Sequence, residues 1–305
     1  MRATRSPSRA LTAAEVVEAI RFRFPSLGGL PVEPLGEGTD HRVYEVGGHY
    51  VFRFPKEAEA AEGLEVEARL TAWLAPHLPL AVPSYRYVGR PDERFPWSFA
   101  GYEKLAGTPA LLVDPDRLDL VAIGRRMGDF LRNLHGLDVA EAEALGVPRD
   151  DDPTLEAWSA EALSELRFAL EQGHVDAAIA ARWERSFAAP PSSKHVPRRV
   201  LHADLAAEHV LLDARGAPTA VIDWSDAMLG DPALDLAGLL HWGGARMLSS
   251  SLETYGPVDD TLVERARWFA ACRAVADLVF GERQQRREYV VAGQRALAGL
   301  RPPAR

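Results

Sequence analysis

His202, Asp204, His209 and Asp223 are the side chains of this sequence best suited to chemistry. The first three lie in "VLHADLAAEHVLLD", between apolar runs that read as strand edges, and the fourth ends the run "PTAVID". A turn between "VLLD" and "PTAVID" would fold the runs into a two-stranded ribbon and bring Asp204 and Asp223 close at one end. Two chemistries use such a set. In phosphoryl transfer, one carboxylate orients a hydroxyl and accepts its proton while the other holds a divalent metal on a nucleotide's phosphates. In hydrolysis, all four ligate a metal pair that activates water. A third reading is structural, since a histidine two residues from an aspartate is a common pattern.

Upstream residues bear on the choice. A nucleotide donor needs a cover over its phosphates, a cation on them and a pocket for its base. "GEGTD", with Gly36 and Gly38, lies between two strand-like segments and fits a hairpin cover, although it lacks the third glycine of the dinucleotide fingerprint. Arg53 follows in "VFRFP", where alternation puts Val51 and Arg53 on one face. Glu67, on the next helical stretch, is placed to pair with Arg53. A hydrolase has no need of this whole upstream segment.

The elements that must hold these residues are legible in outline. Thr12 and Glu15 form a capping box ahead of Val16, Ile20 and Phe24 at helical spacing. Strands are expected in "VEPLGEGTDHRVYEV" and "HYVFRFP", with a turn at Gly47–Gly48, then a helix over about 57–75, then strands at "SYRYVG" and "SFAGYEKL". Residues 1–105 therefore read as a small mixed lobe. From Asp114, a cap with Pro115 at the first helical position, the pattern turns helical, and Leu120, Met127, Leu131 and Leu134 share a face. A further helix is expected from Asp231–Pro232, and helices continue nearly to the end.

Composition sets bounds. The 305 residues suit two lobes, and 47% apolar content is ordinary for a globular protein. The net charge of −9 argues against a nucleic-acid partner. No apolar run approaches the ~18 residues of a membrane span, and no apolar stretch follows the basic N-terminus, so no membrane association and a cytoplasmic location are expected. Cys272 is the single cysteine, which excludes an internal disulfide. Residues 138–176 hold eleven acids against two arginines. Such a run is ordinarily a solvated helical face; the other reading is a wall that attracts a cationic ligand.

"LHADLAAEHVLLD…VIDWSDAMLGDPALDLA" resembles the catalytic core of the aminoglycoside phosphotransferase family, small-molecule kinases with a protein-kinase-like fold. "GEGTDHRVYEV", "VFRFPK", "SFAGYEKLAGTP" and "VFGERQQRREYVVAGQRAL" are most similar to the aminoglycoside 2''-phosphotransferases, and "IDWSDA" and the arginine of "VFRFP" also to the macrolide phosphotransferases. The resemblance implies an α+β, bilobal fold: an N-terminal antiparallel-sheet lobe over 1–105 with a hinge at about 102–107, and a larger helical lobe over 108–305 with an insert at about 138–195. It implies that Asp204 is the catalytic aspartate and that Asp223 and His209 hold Mg2+, His209 standing where many relatives have asparagine. Arg53 replaces the usual phosphate-binding lysine, with Lys56 as a second cation nearby, and Glu67 is its ion-pair partner. Gly36 and Gly38 cover the phosphates. Tyr102, Glu103, Lys104 and Leu105 match the hinge that meets the base edge. Leu35, Val43, Val51, Leu211 and Ile222 would sandwich the base, or else are plain core. His202 and Asp235 support the catalytic loop, Asp231 caps a helix, and His135 and Trp224 pack.

The acceptor side is expected to use Asp150, Asp151 and Asp152 of the acidic run and Trp242 of "HWGG". The expectation is a monomeric, ATP- or GTP-dependent kinase acting on a hydroxyl of a small cationic molecule, foremost an aminoglycoside antibiotic, with a macrolide as the alternative acceptor. From other classes, a metal-dependent hydrolase and a catalytically weak nucleotide-binding protein remain open.

Overall fold

A computed structural model describes residues 11–302 except Thr39, Arg94, Pro115, Asp116, Asp151 and Pro153. The chain divides into two compact units, residues 1–77 with 81–106, and residues 78–80 with 107–305.

The first unit opens with α1 (Ala13–Arg23), started by the Thr12–Glu15 capping box. Then come β1 (Val32–Glu37), β2 (His41–Val46), β3 (Tyr50–Pro55), α2 (Ala58–Leu74), β4 (Tyr85–Gly89) and β5 (Phe99–Glu103). The strands form one antiparallel sheet in the order β1-β2-β3-β5-β4. Gly47 and Gly48 turn the β2–β3 hairpin at φ of 62° and 74°, a region glycine enters without a Cβ penalty. Strand alternation divides the side chains. Tyr44, Val46, Phe52, Phe54 and Phe99 bury one face against Val16 and Ile20 of α1, each large side chain contributing about 1.5–3 kcal/mol. The opposite alternation carries Val43, Val51, Arg53 and Tyr102, with Val43 paired to Arg53 and Val51 to Tyr102. α2 packs on the sheet and brings Glu67 to Arg53.

The second unit contains β6 (Thr108–Pro109), α3 (Leu120–His135), α4 (Val139–Ala144), α5 (Glu156–Glu171) and α6 (Ala177–Phe187). These are followed by β7 (Arg199–Leu201), β8 (Val210–Leu212), β9 (Pro218–Val221), β10 (Met228–Gly230), α7 (Ala233–Tyr255), α8 (Asp260–Arg283) and α9 (Arg287–Gly299). α3 begins later than the sequence pattern predicts. Asp119, not Asp114 five residues earlier, is its cap: the Asp119 carboxylate accepts from the Val121 and Ala122 amides. Pro115 lies outside the described residues. β8 pairs with β9 as expected and also with β6, but β7 pairs with β10, so the strands around the catalytic-type loop belong to two small sheets. Among the described residues, no helix is long and apolar enough to cross a membrane.

α7 is the support of the site. It packs against α3 with backbones nearly touching, a Cβ on Gly128 falling 2.0 Å from the Ser251 carbonyl oxygen. At Gly238 a Cβ would fall 1.7 Å from the Leu205 carbonyl oxygen, inside the loop that carries Asp204. Gly238→Ala must therefore push that loop away. The expected result is a loss of about 1–3 kcal/mol in urea unfolding, as for other overpacked interiors, together with reduced turnover. Unchanged values for both would mean that the loop does not rest on α7.

Candidate active site

The loop between β7 and β8 is fixed from below. Asp235, near the start of α7 and fully buried, accepts from the His202 amide (3.0 Å, Oδ2) and the Ala203 amide (2.8 Å, Oδ1). Its Oδ2 also lies 3.0 Å from His135 Nε2, whose Nδ1 meets the Tyr255 hydroxyl at 2.9 Å. Despite full burial, which opposes its charge, the hydrogen bond and charge of His135 and the nearby His202 hold the Asp235 carboxyl below the usual aspartate range. The support allows Ala203 to stand at φ +66°, a left-handed conformation that costs an alanine energy and that recurs at working sites.

His202 is a brace. Burial, then the neighbouring His209, lowers its pKa, so the ring is neutral near pH 7. Its Nε2–H donates to the Ile222 carbonyl (3.0 Å), and its Nδ1 accepts from the Asp204 amide (3.3 Å). His202 thereby ties the end of β9 to the loop carrying Asp204. Trp224 is buried beneath it, its Nε1–H donating to the Val221 carbonyl at 3.1 Å.

His209 differs. Its Nδ1 lies 2.7 Å from the Asp204 carbonyl oxygen and 3.4 Å from Asp204 Oδ2. The carbonyl can only accept, so Nδ1 carries the proton, and in the neutral ring Nε2 keeps a lone pair. That Nε2 is 3.8 Å from Asp223 Oδ2. Burial opposes protonation of His209, but the carboxylates of Asp204 and Asp223 outweigh it and raise its pKa. Asp223 stands at φ +62°, with the Ser225 hydroxyl donating to its Oδ1 at 2.9 Å. Among the described residues no three His, Cys, Asp or Glu side chains form a ready metal cage.

In the first unit, Arg53 Nη1 lies 2.7 Å from both carboxylate oxygens of Glu67. The Tyr85 hydroxyl donates to Glu67 at 2.9 Å, and Arg53 Nη2 is 3.3 Å from His41 Nδ1. Lys56 donates to the Gly38 carbonyl at 2.6 Å and pairs with Glu37 at 2.9 Å, bracing the glycine hairpin. Val43 is half-buried, Val51 buried and Leu35 exposed. Tyr102 is buried edge-on to Tyr85, and the Lys104 amide donates to the His49 carbonyl. In the second unit Leu211 is buried in β8 and Ile222 half-buried after β9.

The profile of the phosphotransferase enzyme family matches residues 31–269. The chain belongs to that family. It is 26% identical over 283 residues to the viomycin phosphotransferase of Streptomyces vinaceus, covering 90% of this chain and 94% of that one. The GDP and kanamycin complex of APH(2'')-IIIa superposes with a TM-score of 0.74 at 27% identity, covering 93% of this chain and 97% of that one. Macrolide 2'-phosphotransferase MphH from Brachybacterium faecium superposes at 0.63 and 25% identity, covering 96% and 98%. The protein is thus a small-molecule kinase with a kinase-like fold and a nucleotide donor.

In this phosphotransferase a cavity of about 440 Å³ lies beside the catalytic-type loop, lined by Glu208, by His241 and Trp242 of α7, by Arg273 and Asp277 of α8 and by α9. Trp242, expected on the acceptor side, is among the residues lining it. α7 breaks its helical geometry at Gly244 (φ 68°), and the Trp242 carbonyl accepts from Arg295 at 3.0 Å. The acidic run does other work. Asp138, Asp152 and Asp176 accept from the first amides of α4, α5 and α6, as acids favoured at helix starts do. Asp150 and Asp152 are not among the residues lining this cavity, and Asp151 lies outside the described residues. Asp231 caps α7 as expected and is also bound by Arg265 at 2.6 Å.

Sequence reading missed Arg273. Its Nη2 lies 2.5 Å from Asp204 Oδ1, and its partners in charge include Glu208 and Asp277. The available signal was an arginine and an aspartate one helical turn apart in the apolar stretch "FAACRAVADLVF".

Glu165 on α5 is half-buried. Burial first, then Glu161 and Asp277, raise its pKa to about 7. A carboxyl with a raised folded value binds its proton more tightly when folded. Its penalty grows between the unfolded value near 4.3 and about 7, and is constant above. Glu165→Gln should raise stability at pH 8 by about 1–2 kcal/mol after discounting for partial exposure, and hardly at pH 4. Equal unfolding midpoints of variant and native protein at pH 8 would contradict this.

Proposed function

We propose that this kinase transfers the terminal phosphoryl group of a purine nucleoside triphosphate to a hydroxyl of an amine-bearing antibiotic. The carrying observation is Asp204 beside the His209–Asp223 pair at the end of the β8–β9 ribbon. Asp204 orients the acceptor hydroxyl and takes its proton as the new oxygen–phosphorus bond forms. Asp223, with His209 Nε2, would hold magnesium. Magnesium keeps much of its shell as water and phosphate oxygens and needs few protein ligands, which fits one carboxylate with one ring nitrogen nearby. When bound, it neutralises charge on the donor's phosphates. For the donor, the first unit offers Arg53 held by Glu67, the hairpin at Gly36 and Gly38, the apolar Val43 and Val51, and the segment Tyr102–Leu105. The second unit offers Leu211 and Ile222.

The cavity favours an acceptor of modest charge. Arg273, Arg287 and Arg295 offset Glu208, Asp277 and Glu288 around it, while Leu111, Leu118, Trp242, Tyr289 and Val291 supply apolar surface. A macrolide, with a bulky ring and few amines, matches this lining better than a polycation does. The test measures ATP and GTP consumption, with magnesium, against kanamycin, viomycin and a macrolide. Acceptor-dependent consumption is expected, with the macrolide having the highest kcat/KM. A preference for kanamycin would restore the aminoglycoside reading. Hydrolysis of a phosphoester without any nucleotide requirement would overturn the kinase reading in favour of a hydrolase.

A further inference from the structure

We propose that Arg273 is a specificity-determining residue that keeps Asp204 from activating water: its guanidinium covers the carboxylate until an acceptor entering the cavity displaces it. This rests on Asp204 being the proton acceptor proposed above.

One carboxylate oxygen of Asp204, Oδ1, is held by Arg273 in this conformation, while Oδ2 has only the His209 ring near it. Oδ1 is 2.5 Å from Arg273 Nη2, and Oδ2 is 3.4 Å from His209 Nδ1. The His209 contact belongs to the loop itself, because the same Nδ1 is bound to the Asp204 carbonyl. Arg273 comes from α8, 69 residues away in sequence, and lines the same cavity as Trp242. An acceptor filling that cavity therefore meets the guanidinium on its way to Asp204.

The guanidinium has somewhere to go. Glu208, on the Asp204 loop, lines the cavity, and among the described residues its carboxylate makes no hydrogen bond or ion pair. Asp277 lies one turn along α8, with its Oδ2 3.0 Å from His241 Nε2. Burial works against the charge of Arg273, yet Asp204, Glu208 and Asp277 together raise its pKa, and an arginine is a cation in any such position. A swing from Asp204 to Glu208 or Asp277 exchanges one ion pair for another. It avoids the large cost of leaving a partly buried guanidinium without a counter-ion.

Water and acceptor differ in what they offer in return. A water molecule at Asp204 replaces an ion pair between two charged groups with a hydrogen bond from one neutral donor. An acceptor adds contacts over the cavity wall, and that differential binding shifts the arginine's equilibrium. Without the cover, water takes the acceptor's part. Its oxygen bonds to the terminal phosphorus, the bond from that phosphorus to the bridging oxygen breaks, and Asp204 takes the proton. The products are nucleoside diphosphate and inorganic phosphate.

The experiment uses the full chain with magnesium and saturating nucleotide, and follows diphosphate release without acceptor. Arg273→Met keeps the length and apolar stem while removing the charge. It is expected to raise idle hydrolysis on the order of ten-fold, within what a freed general base supplies, and to lower the yield of phosphorylated acceptor per nucleotide consumed. Arg273→Lys, which keeps the charge without the fork, is expected to fall between. A purely structural role would lower transfer and hydrolysis together and lower the thermal midpoint. If Arg273→Met does not fold, the lysine variant decides, and native-level idle hydrolysis in it overturns the proposal. So does native-level idle hydrolysis in a well-folded Arg273→Met. Adding Asp204→Asn to Arg273→Met should abolish the excess, and persistence of the excess overturns the latch. Asp204→Asn alone retaining full transfer would overturn the proton-acceptor role itself, a separate failure.

Discussion

Asp204→Asn is expected to lower turnover by ~10²–10⁴, the usual contribution of a positioned general base, while nucleotide affinity stays near native. The amide matches the carboxylate in shape, so the loop should keep its form: Asp235 and His202 bind its backbone, not the Asp204 side chain. The Asp204 carboxylate is about a third exposed, so its replacement leaves no deeply buried partner stranded apart from Arg273, which has Glu208 and Asp277 at hand. What the amide cannot do is accept the acceptor's proton. Donor binding is expected to survive because the donor's contacts are assigned to other side chains. Titration of nucleotide into the variant, alongside initial rates with acceptor, separates the two effects. Near-native turnover would remove Asp204 from the mechanism; loss of nucleotide affinity with intact turnover at saturation would make it a donor-binding residue.

How much could be read from the sequence depended on distance along the chain. The Thr12–Glu15 box, the Gly47–Gly48 turn and the alternation placing Val51 and Arg53 on one face are local, and the structure has all of them. The Arg53–Glu67 pair spans 14 residues but joins adjacent elements, so a strand followed by a helix was enough to expect it. The helix start at Asp119 was harder, because Asp114 offers the same chemistry five residues earlier. The structure uses the later one, whose carboxylate accepts from the Val121 and Ala122 amides. The pairing of β7 with β10 was beyond local signals as well, since a three-residue strand carries too little pattern to choose its neighbour.

The acidic run shows a different limit. Charge content alone could not separate a ligand wall from helix starts. Three helices beginning within one segment demand acceptors for their free amides, and Asp138, Asp152 and Asp176 meet that demand. For Arg273 the limit is the opposite: the charged pair with Asp277 in an apolar stretch marks it, but its partner Asp204 lies 69 residues away and nothing within a helical turn points there.

Asp235→Ala is expected to destabilise the protein by about 3–5 kcal/mol, the range for breaking a buried charge pair from one side. The carboxylate is fully buried and accepts from the His202 and Ala203 amides while meeting His135 Nε2. Truncation leaves two interior amides and a ring nitrogen without that partner, each a desolvation cost of ~1–3 kcal/mol if unmet. Asp235→Asn keeps acceptor capacity and should lose less. The pH dependence has a definite sign. The folded pKa is depressed, so Asp235 stabilises above the ordinary aspartate value near 3.9, and that contribution fades as pH falls through the lower folded value. The stability gap between native protein and Asp235→Ala should therefore be flat between about pH 5 and 7 and narrow only below ~4. Urea midpoints across that range measure it, and a gap that widens on acidification would contradict the depressed pKa. Turnover should fall too, because Asp235 binds the amide of the left-handed Ala203, and Asp204 is the next residue along. A variant that unfolds early yet retains native kcat at low temperature would show that the loop finds its conformation without this support.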